Sequence, residues 1–550
     1  MAGDKRERDL TPGERFDLRM AAYLNELRTR ALTRRSMLRG TLGAAALAGA
    51  KPFLPGLSVL AQDETQVVFA LEGDVRGLEP ALAYDFTANP VACQISEGLL
   101  MFDEQGGMQP LLAESWDQPD AITYVYKLRK GVTFHTGAEV TIDDVIASIE
   151  RVRDPEVAGP MTWMYDPVDT IERTDDVTLT IKLKSPSSLY RYVAATTAGH
   201  VVPKAAIEQY GLDFLRNPVG TGPYKFVSWQ AGSEIVLEKN PNYWQAGMPY
   251  YDRLVFKIVP DGTTRVTGLK NGEINAMTAV PPDQIETVKS FENVNWQDVV
   301  GYTINYVAMR VDQPPLDDVK VRKAIVHAIP IDDIMTNIVK ETGIRSRNTS
   351  VPPNMPGSAS DVLEPVPYDV EKAKQLLSES SQPNGFKTEL HVISPNDVWV
   401  PQALAIQEAL KAINIEVEVK TYPYDAFITL LQSGEYQGMV LVQWGSDFPD
   451  ALGNLLPLFY SKNHPPQNNS SFYSNPKVDE LLDAADAEID QEKRRQMLID
   501  VQKIVSDDQP HIWLEHFKWY MPFTKDITGY TVRPLWYWDC WGRWIKPATA

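Results

Sequence analysis

Cysteine is nearly missing from this chain of 550 residues: only Cys93 and Cys540 occur. Two thiols cannot build a disulfide scaffold, and no C-x-x-C pair is present for metal or redox work. A bridge between them needs an oxidising compartment; two buried free thiols fit the count equally well. Histidine is also scarce, with seven scattered residues. His511 and His516 have the wrong separation for one helical face. No G-x-S-x-G, H-E-x-x-H or P-loop appears, so no metal, cofactor or catalytic set is expected. Asp447 and Asp450 are too close together to flank a glycosidic bond, which disfavours a secreted hydrolase. Positive charge is in deficit, with 53 Lys and Arg against 73 Asp and Glu and a net charge of -20. That balance argues against broad contact with nucleic acid or anionic lipid. No apolar run is long and greasy enough for a convincing membrane span.

What is there is a hydrophobic fraction of 43%, ample for buried cores. The length calls for two or three domains. Charge is unevenly spread: residues 1–61 hold 11 Lys and Arg and 6 acids, so they carry +5 and the remainder -25. Within them Arg34-Arg35 precedes a small-residue run, 40–50, which is the pattern of a twin-arginine export signal. Val59-Leu60-Ala61 offers small residues to signal peptidase, so cleavage is expected after Ala61. Residues 1–32 form a charged amphipathic preamble with no assigned role.

Past the signal, residues 66–71 read as a buried strand, and 91–100 have helical spacing. Residues 123–129 and 178–184 alternate like strands with one wet face. Between them Thr141 opens a helix, with Asp144 three residues later as a capping box. Residues 100–215 thus form a mixed α+β unit. Gly220 to Tyr224 make a tight corner leading into a hairpin over 224–229 and 234–238. Pro223 removes a donor and no Lys-Ser/Thr follows, so this is a structural corner and not a phosphate cradle.

From residue 387 strands and helices alternate cleanly: strands 387–393, 415–420 and 438–444, helices 400–412 and 424–432. Such β-α-β-α-β order implies parallel strands with right-handed crossovers. Ligands then lie outside the carboxyl ends of the strands. Trp444, Asp447 and Asp450 follow one such end, and Trp399 follows another. Alone, Asp450 reads as a turn cap, and Tyr84, in the loop 72–89, reads as packing. The Trp-rich tail, 530–545, also reads as packing. The fold class is α/β, with two α/β lobes joined by crossing connections.

Several stretches, in order, resemble one family, the extracellular solute-binding proteins of peptide, nickel and oligosaccharide ABC importers. They are Gly77-Leu78-Glu79-Pro80, Glu97-Gly98-Leu99-Leu100, 112–116, 128–135, 220–224, Asn240-Pro241-Asn242-Tyr243-Trp244, 315–328 and Tyr473-Ser474-Asn475-Pro476. The resemblance implies a bilobal periplasmic-binding-protein-like fold with a hinge and an extra α+β subdomain. It divides the chain into lobe I (62–99, 216–300 and 517–550), its extra subdomain (100–215) and lobe II (301–516). It implies a periplasmic monomer that captures a small solute and passes it to a membrane ABC permease. Trp444-Gly445-Ser446-Asp447 matches a Trp-x-x-Asp sequence whose aspartate pairs with a peptide's α-ammonium group. Tyr84, Trp399, Trp444 and Asp447 are therefore the expected ligand-binding residues. One departure stands out: the loop 394–399 lacks the Arg that some dipeptide-binding relatives use for the ligand carboxylate. Trp399 could instead stack on a sugar ring. A peptide or other amine-bearing solute is the main expectation, and an oligosaccharide or opine-like compound the alternative.

Overall fold

Two sheets, each the centre of its own α/β lobe, organise the chain. The computed structural model describes residues 65–157 and 159–549; the export signal and its cleavage point fall outside them. The first sheet has seven strands. Gln66–Leu71 lies near its middle, parallel to Arg253–Ile258 on one side and to Ala276–Met277 on the other. Its five consecutive buried residues after Gln66 are those of a strand covered on both faces. The hairpin Tyr224–Gln230 with Glu234–Lys239 extends one edge. Phe523–Thr524 and Val294–Asn295 complete the other.

The second sheet has six strands, ordered Gly343–Arg345, His511–Tyr520, Asp298–Met309, Met439–Gly445, Phe386–Ile393 and Ile415–Tyr422. Phe386–Ile393 runs parallel to both neighbours. Helices Trp399–Leu410 and Tyr424–Ser433 supply the crossovers. Burial follows sequence pattern here. Edge strand Ile415–Tyr422 alternates buried and exposed at its start, whereas Met439 to Val442 are all buried at the sheet centre.

A four-stranded antiparallel sheet, Ala113–Asp120, Thr123–Leu128, Thr178–Leu183 and Val168–Arg173, forms the extra subdomain. Helix Ile142–Arg153 belongs to it, and Thr141 and Asp144 make the full reciprocal capping box. The spacing predicted one helix over 91–100, but the helix is Asn89–Ile95. Ser96 turns extended, and Glu97–Gly98 and Leu100–Phe102 become strands paired with His200–Val201 and Met108–Pro110. Glu97 must leave the helix to reach partners distant in sequence, described below.

Asp298–Met309 and His511–Tyr520 pair antiparallel along their length. Asn295 and Phe523, just beyond their ends, belong to the first sheet. Two adjacent long strands therefore carry the chain between the sheets. Cys93 and Cys540 are both buried free thiols.

Candidate functional site

The strand Met439–Gly445, buried over its first four residues, ends where the two lobes meet, and several hydrogen bonds hold the loop after it. Ser446 N–H donates to the Tyr302 carbonyl at 3.0 Å. Ser446 Oγ donates to the Phe448 carbonyl at 2.8 Å. The Trp444 indole N–H donates to the Gly453 carbonyl at 2.9 Å. A Cβ on Gly453, in the first turn of helix Leu452–Phe459, would collide with Ser446 Oγ, so that position needs glycine. Asp450 Oδ1 accepts from Leu452 N–H at 2.9 Å, the capping role its position suggested.

Asp447 is thereby fixed, half-buried, with its carboxylate facing the first lobe. Tyr84 Oη donates to Asp447 Oδ2 at 2.6 Å across the lobe boundary. Desolvation pushes the Asp447 carboxyl up to about 6, and the Tyr84 hydrogen bond only partly opposes it. Among the described residues no cation offsets that desolvation. The surroundings are aromatic instead. Tyr84 and Trp538 rings lie 6.2 Å apart, Trp538 and Tyr537 5.3 Å, Tyr537 and Phe86 5.1 Å, and Phe86 and Trp519 4.8 Å. Tyr537 Oη approaches the Ser446 carbonyl at 3.5 Å. Phe86 stays 44% exposed and Tyr84 36%. A desolvated carboxylate between aromatic faces suits an organic cation, which gains both charge pairing and cation–π contact.

Of the residues expected from sequence, the structure brings Asp447 and Tyr84 into contact. Trp444 sits beneath the loop as its support. Trp399 opens helix Trp399–Leu410, its N–H capped by Asn396 at 2.7 Å, and packs against the core of the second lobe. Tyr537, Trp538, Phe86 and Trp519 went unrecognised. Phe86 lies in the loop before Asn89 and Tyr537 and Trp538 in the aromatic-rich tail, where density of aromatics was the only signal; Trp519, on the strand His511–Tyr520, gave none.

A roomy cavity lies elsewhere. About 620 Å³ opens at the amino ends of the second sheet's parallel strands, beside Arg310, Lys387, Glu389, Glu416 and Glu418. Most of its charges pair with one another or with neighbours: Arg310 with Asp312 at 2.8 Å, Lys387 with Glu416 at 2.7 Å and Lys420 with Glu389 at 2.5 Å. Parallel sheets bind at carboxyl ends, so volume is the poorer guide here and Asp447 the better one. No group of three His, Cys, Asp or Glu among the described residues is placed to hold a metal ion. No helix among them is long and apolar enough to cross a membrane.

Residues 107–466 match the family model of bacterial extracellular solute-binding proteins, family 5, middle region. The glutathione-binding protein GsiB of Escherichia coli K12 is 30% identical over 505 residues, covering 90% of this chain and 96% of that protein. GsiB of Pectobacterium atrosepticum is 30% identical over 481 residues, covering 85% and 91%. Among solved structures, the periplasmic binding protein DppA from Helicobacter pylori in complex with the peptide STSA is similar. Its TM-score is 0.73 at 27% identity, over 89% of this chain and 100% of that one. HbpA2 from Haemophilus parasuis matches with a TM-score of 0.80 at 26% identity, over 88% and 99%. AgaA from A. tumefaciens R10, in complex with agropinic acid, matches with a TM-score of 0.73 at 25% identity, over 88% and 98%.

Proposed function

The chain belongs to the bacterial extracellular solute-binding proteins of family 5, and from that premise we propose that it captures a peptide or other amine-bearing solute between its lobes. It releases that solute unchanged to an ABC permease. The observation that carries this reading is Asp447: a desolvated carboxylate at a strand end, bonded to Tyr84 and lacking an offsetting cation among the described residues. The solute's ammonium group supplies that cation, and Tyr84 orients the carboxylate toward it. Trp444 supports the loop, and Trp399 borders the other strand end. Lobe I comprises 62–99, 216–300 and 517–550, with 100–215 as its extra subdomain, and lobe II comprises 301–516. The hinge lies in the paired strands near Val300 and His516, whose few residues absorb the change on closure.

The test is to purify the protein natively and identify the solute that co-purifies by mass spectrometry. A peptide or amine supports the reading; an uncharged sugar sinks it. A second reading, an opine-like or oligosaccharide solute, is favoured by the aromatic wall of Tyr84, Phe86, Trp519, Tyr537 and Trp538. The same experiment decides between them. Export is proposed to follow the twin-arginine route, with cleavage after Ala61. Replacing Arg34 and Arg35 by lysine tests that route, since the protein should then stay in the cytoplasm.

A pH dependence follows. An ammonium binds the ionised carboxylate, so affinity is flat above about pH 7 and falls as Asp447 protonates through about 6. Roughly a tenfold loss is expected between pH 7 and pH 5. Titration of the co-purified solute by calorimetry measures it, and Asp447→Asn should abolish the slope. Glu515 is the control needed. It is buried, accepts from Asn305 and Gln402 at 2.6 and 2.9 Å, and desolvation pushes it up to about 7. A slope that survives Asp447→Asn would move the effect to that group.

A further inference from the structure

The loop that presents Asp447 is gripped on a second side, by the extra subdomain. Phe448 lies between Tyr192, stacked at 5.9 Å, and Trp163, edge-on at 6.0 Å. Asp450 takes a bidentate pair from Arg494 at 2.7 and 2.8 Å, with side chains 3% and 6% exposed. Both of those residues belong to the second lobe. The subdomain adds Tyr192, whose Oη lies 3.2 Å from Asp450 Oδ2, and Ser188, whose Oγ accepts from Arg494 Nη2 at 2.8 Å. Ser188 also reaches Asp486, donating to Oδ1 from its N–H at 2.8 Å and from Oγ at 3.0 Å. Its N–H lies 3.0 Å from the Asp486 carbonyl as well.

We infer that Ser188 and Tyr192 form a polar clasp with Asp450, Asp486 and Arg494 that holds the two lobes shut without a solute. The inference rests on the proposal that the lobes open and close, but not on what they bind. Three reasons carry it. Within the clasp, the bonds that cross the boundary all end on charged groups or on the helix-end carbonyl of Asp486, and bonds to charged groups are the stronger class. Asp450 and Arg494 satisfy each other inside one lobe, so they stay paired when the lobes part, and opening strands no lone charge. The clasp residues are also contiguous with the site: 447 faces Tyr84, 448 faces Tyr192 and Trp163, and 450 faces Tyr192. A trap that shuts unaided admits solute only through its open minority, which lowers the association rate by that fraction. The clasp would thus slow both capture and release.

Small-angle scattering of the mature, solute-free protein tests this without any ligand. Ser188→Ala combined with Tyr192→Phe removes both subdomain hydroxyls from the clasp and leaves the Asp450–Arg494 pair and the Ser188 N–H bonds to Asp486 intact, so its radius of gyration should rise above wild type. Ser188→Cys with Asp486→Cys should scatter like the open form when reduced. Oxidised, it should return to the wild-type radius, with wild type treated alike as reference. Indistinguishable scattering of wild type and Ser188→Ala/Tyr192→Phe overturns the clasp, whether both are open or both shut. Failure of the cysteine pair to cross-link overturns it too. Failure to find an amine-bearing solute would leave these results unaffected and would strike only the function proposed above.

Discussion

Asp447→Ala folds at least as well as wild type and gains no thermal stability from its solute. The first half follows from the folded state. A carboxyl whose folded value is raised from 3.8 to about 6 disfavours the ionised native state. That cost is full above about pH 6 and shrinks as pH falls toward 3.8. It is on the order of 3 kcal/mol, so its removal should not lower the melting temperature of the empty protein at pH 7. Tyr84 loses its acceptor, but it is 36% exposed and water replaces the carboxylate. The second half follows from the closed cleft. Removing one partner of a desolvated, hydrogen-bonded charge pair costs roughly 2–5 kcal/mol of binding, about 30-fold to several thousand-fold in affinity. A ligand that binds only the folded state raises stability by mass action, so its melting shift disappears with the affinity. Calorimetry and thermal unfolding, with and without the co-purified solute, measure both halves. An affinity within threefold of wild type would remove Asp447 from the site.

The loop that carries this prediction was legible for a simple reason. Four consecutive buried residues in Met439–Gly445 mark a central strand, and the aspartate follows its carboxyl end. The alternating pattern of Ile415–Tyr422 and the hairpin at Tyr224–Gln230 were legible on the same ground, since side-chain period reports which face is wet. Side-chain period did not mark His511–Tyr520 as a strand; only the family resemblance implied a crossing strand, near His516. It is buried along nearly its whole length, and it hides Glu515, His511 and His516 among its apolar residues. With neither face wet and charges inside, periodicity has nothing to report. Helix Leu452–Phe459 went unassigned; Gly453 and Pro457 weaken its local helical signal, although Pro457 lies within the helix. The wall around Asp447 was illegible for a different reason. Tyr84 and Tyr537 reach it from opposite ends of the chain, and no local pattern encodes a contact of that separation. Gly220 and Gly222 do show their purpose once folded: a Cβ on either would strike backbone of the helix end at Gln94 to Ser96.

That crowded corner explains why Glu97→Ala should be the most damaging single change outside the site. Glu97 is fully buried and makes four bonds. Oε1 accepts from Arg543 Nη2 at 2.6 Å and Tyr243 Oη at 2.7 Å. Oε2 accepts from Thr221 Oγ1 at 2.9 Å and the Trp244 indole N–H at 3.0 Å. Three of the stretches that carry the family resemblance, 97–100, 220–224 and 240–244, therefore converge on one carboxylate, and the C-terminal segment joins them through Arg543. Their recurrence marks a structural knot and not a ligand contact. Cutting it leaves the Arg543 guanidinium, 2% exposed, without its charge partner. Breaking such a pair from one side costs roughly 3–5 kcal/mol. Replacing both members by apolar residues of similar size should cost much less, because neither charge is then stranded. Glu97→Leu with Arg543→Met is accordingly expected to be more stable than Glu97→Ala alone. The segment 536–543 also carries Tyr537 and Trp538, which wall the proposed site, so Glu97→Ala should weaken solute binding along with the fold, whereas Asp447→Ala weakens binding alone. Denaturant titration of the empty variants decides the matter. A loss below about 1 kcal/mol for Glu97→Ala, or strict additivity in the double variant, would show that the network does not hold the lobe together.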